Sequence, residues 1–248
     1  MEKVCFSFGG RKILEDFDLS LTRGVNRTIL GVSGAGKTTI LKLLLGLLTP
    51  DSGCVSIDGT PLEGLRESEL VRVRKHIAIV FQGGALFDSM TVGENVGYRL
   101  FEEGKLTERE IEQVALEKLS FVGLEQAIDL YPAELSGGMK KRVAIARALA
   151  AEPDYIFFDE PTTGLDPIGV YNIRNLMHRL QQEGKTTLMV THDLETAFAV
   201  SQRFSFLHEA RLEFEGTREE MLACRLPAIT EFFTPTEQSL FRYNYIPE

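Results

Sequence analysis

The most restrictive stretch of this chain is Gly31-Val32-Ser33-Gly34-Ala35-Gly36-Lys37-Thr38, preceded by Arg27-Thr28-Ile29-Leu30 and followed by a leucine-rich run. It fits the pattern G-x-x-x-x-G-K-[ST] in the context that pattern needs: a short apolar strand, a glycine turn, then a helix. Glycines at 34 and 36 let the backbone approach phosphate oxygens without a Cβ in the way, so successive N–H groups can point inward as a nest. Lys37 adds a point charge toward β- and γ-phosphates, and the Thr38 hydroxyl suits Mg²⁺. Leu41, Leu44, Leu45 and Leu48 fall at i, i+3, i+4 and i+7. That spacing predicts a helix with a buried stripe, its positive dipole end lying under the anion.

Composition sets the outer limits. The 248 residues, 44% of them hydrophobic, can bury a core as one large domain or as a core plus a subdomain. A formal charge of −9 argues against nucleic acid as the main partner, because phosphate backbones reward Lys and Arg. Cys5, Cys54 and Cys224 are widely separated, without a C-x-x-C, which points to reduced thiols rather than a disulfide or zinc framework. No secretory pattern opens the chain, and no apolar run approaches the roughly 20 residues that span a bilayer. Any service to a membrane is therefore expected from the cytoplasmic side, through partners.

In chain order, Val4 to Phe8 and Ile13 to Leu21 alternate around Gly9-Gly10-Arg11-Lys12, an antiparallel pair with Phe8 at the mouth of its turn. There Phe8 either stacks on a flat base or packs on its own sheet. Cys54 to Ile57 reads as a strand turned by Asp58-Gly59, and Arg66 to Lys75 as a charged helix. Ile77 to Phe81 is a buried strand that ends at Gln82, where ligands of an α/β sheet bind. From 83 to 152 the pattern is helical: Val92 to Leu100, Thr107 to Val122, then a helix opened by Leu135-Ser136-Gly137-Gly138-Met139. Ser136 is an N-cap, and the glycines leave the first N–H groups of that helix exposed to an anion.

Tyr155 to Phe158 form an apolar strand closed by Asp159 and Glu160. Asp159 is suited to hold the Mg²⁺ shell, and Glu160 to take a proton from an attacking water or to orient it. Gly164-Leu165-Asp166-Pro167 turns into a helix with Ile173, Leu176, Met177 and Leu180 on one face. The strand Thr187 to Thr191 then delivers His192 to the same edge, where it can donate to a γ-phosphate.

Gly31 to Thr38, Gln82, Leu135 to Met139, Phe157 to Glu160, Leu165-Asp166 and His192, in this order, resemble the nucleotide-binding subunits of ABC transporters over about residues 1 to 220. Phe81 to Val92 and the Leu-Ser-Gly-Gly-Met signature are similar to the Mla/MCE-type ATPases, which serve lipid transporters. The resemblance implies an α/β P-loop NTPase (RecA-like) core, with an antiparallel β subdomain and a helical subdomain inserted at about 83 to 152. It implies ATP and Mg²⁺ as ligands. Nucleotide contacts come from Phe8, Ser33, Gly34, Ala35, Gly36, Lys37, Thr38 and Thr39, and across a head-to-tail dimer from Ser136, Gly137, Gly138 and Asp166. Thr38, Gln82 and Asp159 organise the metal; Glu160, His192, Gln82 and Lys37 carry the chemistry. Partners are a second copy, transmembrane permease subunits, an MCE-type lipid-binding subunit and a small regulatory subunit, at the cytoplasmic face of the inner membrane. The signature departs from the family at Met139, where Gln is usual, and Phe8 stands for the commoner Tyr.

Past Gly216, Thr217 and Glu220 form a capping box. Residues 221 to 248 are a C-terminal helix and an aromatic extension with Phe232, Phe233, Phe241, Tyr243 and Tyr245. This extension either folds back on its own domain or, the favoured reading, fastens the second subunit.

Overall fold

A computed structural model describes residues 1–240, with side chains as far as residue 234. Strands β1 (Glu2–Phe8) and β2 (Arg11–Phe17) form the expected hairpin, with Phe8 paired to Arg11. Gly9 and Gly10 supply the two positive φ values that a turn of this length requires. β3 (Asn26–Leu30) is buried throughout and leads through the glycine loop into α1 (Lys37–Leu44). At eight residues this helix is shorter than the leucine pattern predicts. Gly46, in left-handed conformation with its N–H on the Leu43 carbonyl, stops it, so Leu48 packs from the loop beyond.

The strand expected over Cys54 to Ile57 is split. β4 (Ser52–Cys54) joins β1, while β5 (Ser56–Ile57) and β6 (Thr60–Pro61) make a small hairpin on Asp58-Gly59. Then α2 (Glu67–Arg74) hands the chain to β7 (Ile77–Val80). The helical segment comprises α3 (Val92–Glu103), α4 (Glu108–Phe121) and α5 (Gly137–Leu149), N-capped by Thr91, Thr107 and Ser136. β8 (Tyr155–Asp159), α6 (Pro167–Gln182) and β9 (Thr186–Thr191) follow as expected.

After α7 (Leu194–Val200), β10 (Arg203–His208) and β11 (Arg211–Gly216) form a hairpin without a counterpart in the sequence reading. Its turn is Glu209-Ala210, both at positive φ, with none of the residues that announce a turn. α8 (Arg218–Ala223) carries the Thr217–Glu220 capping box, and α9 (Pro227–Leu240) is the last element described.

The main sheet has the order β11-β10-β3-β9-β8-β7, parallel except for the β11 edge. Apolar cores cover both faces, so its central strands are continuous runs of buried residues. Leu30, Ile156, Phe158, Met189 and Phe206 face the helical segment, α6 and α7. Ile29, Tyr155, Phe157, Val190 and Leu207 face α1 and the separate β2-β1-β4 sheet.

Parallel pairing aligns the strand ends. Leu30 lies beside Thr191, Asp159 beside Val190 and Phe158 beside Val80. The glycine loop, His192, Glu160 and Gln82 therefore leave the sheet at one carboxyl edge, where an α/β sheet binds its ligand. Phe232 packs on Phe206 with ring centroids 5.2 Å apart, and Phe233 on Phe198 at 6.1 Å. This part of the extension folds back on its own domain, against the favoured expectation, because Ile229 and Phe233 complete the core beside α7 and β10. Phe241, Tyr243 and Tyr245 lie outside the described residues.

Candidate functional site

The glycine loop is a tight cradle. Gly34 and Gly36 have φ of 78° and 104°, values that side chains other than glycine rarely adopt. A Cβ on Gly36 would sit 2.6 Å from Ile13 Cγ2, so β2 presses against the loop and brings the Phe8 hairpin beside it. Phe8 is 73% exposed, which leaves its ring face open for stacking and removes the alternative that it packs on its own sheet. Lys37 is buried, its Nζ donating to the carbonyls of Gly31 (2.8 Å) and Val32 (3.1 Å) and lying 3.5 Å from Glu160 Oε1. Burial pushes the Lys37 pKa below its ordinary value against the pull of Glu160. An ammonium desolvated to this degree gains from an anion brought to the loop.

Across from it, the Thr38 hydroxyl is 3.0 Å from each oxygen of Asp159. Burial raises the Asp159 pKa, and the Glu160 charge adds to that, despite the Thr38 hydrogen bond. A hydroxyl and a desolvated carboxylate side by side are the hard oxygen donors that Mg²⁺ takes, and a divalent cation offsets the burial that disfavours this carboxylate. The residues fit that ion.

Glu160 is held from several directions. Thr191 Oγ1 donates to Oε2 at 2.8 Å, Thr163 Oγ1 to the same oxygen at 3.2 Å, and His192 Nδ1 lies 2.9 Å from Oε1. Burial acts to raise its pKa, but the hydrogen bonds from His192 and Thr191 and the Lys37 charge outweigh it and leave the carboxyl below its usual value. This is an ionised acceptor across the neutral range, better made for orienting a water than for holding its proton. Its φ of 48° puts a non-glycine residue in the left-handed region, where strain marks constrained sites.

Gln82 follows β7 at the same edge. Ser136 caps α5 by accepting from Met139 N–H at 3.3 Å, and a Cβ on Gly137 would meet nothing within 4 Å, so this helix start is open. Met139 tucks against the helical core, which explains how an apolar side chain is accommodated in the signature. Asp166 caps α6 through Gly169 N–H at 2.7 Å. Within this chain Ser136 and Asp166 are structural caps outside the Lys37–Glu160 cluster. Four residues escaped the sequence motifs: Thr163 and Thr191, which donate to Glu160, Lys141, whose Nζ donates to the Glu160 carbonyl at 3.0 Å, and Arg147, which donates to the Gly84 and Ala85 carbonyls. Only Thr191 carried a signal, as the last residue of a strand at the ligand edge.

The family model "ABC transporter" matches residues 14–163, from β2 through the Glu160 turn. The chain belongs to the ABC transporter ATP-binding family. It is an ATP-binding and ATP-hydrolysing cassette with the P-loop NTPase fold. The cassette is 37% identical over 246 residues to the intermembrane phospholipid transport system ATP-binding protein MlaF of Haemophilus influenzae, covering 99% of this chain and 93% of that protein. It is 38% identical to MlaF of Escherichia coli, over 94% of this chain and 87% of the relative. A dimeric ATP-binding cassette in a post-hydrolysis state with ADP and Pi superposes with a TM-score of 0.80 at 34% identity, covering 87% of this cassette and 97% of that chain. No helix among the described residues is long and apolar enough to cross a membrane.

Proposed function

We propose that this cassette powers the movement of phospholipid between membranes, as a head-to-tail pair of identical chains docked on transmembrane permease subunits at the cytoplasmic face of the inner membrane. The MlaF relatives, ATP-binding proteins of intermembrane phospholipid transport systems, support the cargo class, and the dimeric neighbours support the pairing. An MCE-type lipid-binding subunit and a small regulatory subunit complete the assembly.

The observation that carries the mechanism is the Glu160 carboxylate, fixed by Thr191, Thr163 and His192 beside Lys37 and the Thr38–Asp159 pair. Lys37 and the amides of Ser33 to Thr39 bind the phosphates, and Phe8 stacks on the adenine. Thr38, Asp159 and Gln82 hold Mg²⁺, whose role when bound is to neutralise charge on the phosphate oxygens. Glu160 orients the attacking water and accepts its hydrogen bond, while His192 senses the γ-phosphate. Ser136, Gly137, Gly138 and Asp166 act on the nucleotide of the second subunit, which gives the open start of α5 a ligand.

The groove between α3 and α4, about 480 Å³ and lined by Met90, Tyr98, Phe101 and Ile111, suits a helix of the permease. Val92, at the start of α3, is fully buried and belongs to the core rather than to this groove. Glu160→Gln should keep ATP binding while lowering turnover by about 10²-fold or more, the scale of a positioned base. Undiminished turnover would remove Glu160 from the mechanism. Lipid analysis of the detergent-purified assembly tests the cargo class.

A further inference from the structure

Lys141 is buried within α5, at 6% exposure, yet no carboxylate lies within ion-pair distance of it among the described residues. Its single hydrogen-bond partner there is a neutral group, the main-chain carbonyl of Glu160, at 3.0 Å. Burying an ammonium is expensive when the neighbouring carboxylates are too distant to pair with it, and burial lowers its pKa although the Glu160 and Asp159 charges pull the other way. A methionine of similar length would fill the space without that expense.

The recipient peptide belongs to a residue in the left-handed region. Glu160 has a φ of 48°, and its N–H donates to the Val190 carbonyl at 3.0 Å while its carbonyl accepts from Lys141. Both polar ends of the residue are thus pinned, one by the sheet and one by α5. A left-handed non-glycine conformation is costly and persists only when its surroundings over-determine it.

We propose that Lys141 is a positioning residue for the hydrolytic step: it locks the Glu160 peptide so that the carboxylate is aimed at the attacking water, and ties that aim to the placement of α5. The inference rests on the assignment of Glu160 to that step. Ser136 lies five residues before Lys141, about 7.5 Å along the helix axis at 1.5 Å per residue. Engagement of the Ser136 turn by the second subunit's nucleotide is therefore relayed, through a rigid helix, to the carboxylate serving the first subunit's nucleotide.

The test is a double-mutant cycle on the full-length chain with Mg-ATP. Lys141→Met should lower kcat by about 10- to 100-fold, the penalty of a misplaced catalytic group, with the KM for ATP within about two-fold of wild type. Lys141→Arg, which keeps a donor, should recover most of the loss. In a Glu160→Gln background, Lys141→Met should cost no further turnover. Wild-type kcat in Lys141→Met, or an equal loss in both backgrounds, overturns the positioning role. If Glu160→Gln itself turns over normally, the assignment of Glu160 fails, a distinct result. Should the methionine variant not fold, Lys141→Gln, polar and one atom shorter, enters the same cycle.

Discussion

At the scale of single residues, two adjacent carboxylates are driven in opposite directions. Asp159 is raised by burial and Glu160 is lowered by its hydrogen bonds and Lys37. For Asp159 the folded pKa lies above the unfolded one, so its contribution is fully present below the unfolded pKa and is lost as pH rises through the folded value. Asp159→Asn should therefore raise the melting temperature of the nucleotide-free chain at pH 7, by about 2 to 4 °C if the relief is near 1 kcal/mol. The gain should fade as pH falls through the carboxylate range, and the stabilisation by Mg-ATP should disappear; thermal melts from pH 4 to 8 with and without Mg-ATP check all three. Glu160, being depressed, contributes stability above its unfolded pKa that is lost as pH falls through the folded one. Phe8 offers a simpler test, since its ring is 73% exposed and holds no core together. Phe8→Ala should leave the melting temperature unchanged and raise the KM for ATP roughly ten-fold, within the 1 to 3 kcal/mol of a base stacked on an aromatic ring.

Among the elements, the glycine loop and the β10–β11 hairpin are packed against each other more closely than the sequence suggests. A Cβ on Gly31 would fall 2.6 Å from the Leu207 carbonyl oxygen, a backbone atom that cannot swing aside. Gly31→Ala should cost about 1 to 3 kcal/mol in urea unfolding, as overpacking of a tight contact does, and weaken nucleotide binding as the loop shifts. The hairpin that sets this limit has no glycine or asparagine at its turn, so reading turn residues along the chain passes over it. α5 was legible as a capped helix from Ser136, yet its links to Glu160 through Lys141 and to the segment after Gln82 through Arg147 were not. Those bonds join residues 19 and 62 or more positions apart, a separation that periodicity does not reach.

For the whole molecule, the proposed pairing makes the site incomplete in one chain, because Ser136 and Asp166 stand apart from the Lys37–Glu160 cluster. In the Glu160→Gln background, ATP should double the mass seen by light scattering, and Ser136→Arg should abolish the doubling while leaving ATP bound by the monomer. Removing residues 228–248 should destabilise the isolated chain by at least roughly 3 kcal/mol, because Ile229 and Phe233 are buried in its core. Removing only 241–248 spares that packing and isolates any role of the last aromatics in the dimer. The sequence alone determined the glycine loop, the acidic strand end, the capped helix start and the apolar strands, because each is a local pattern set by period, turn chemistry or side-chain type. Tertiary structure alone decided that α1 stops early, that Phe232 and Phe233 turn inward and that Lys141 grips the Glu160 peptide. Such choices depend on which surfaces remain to be covered once the sheet has formed, and that is fixed by contacts between residues far apart along the chain.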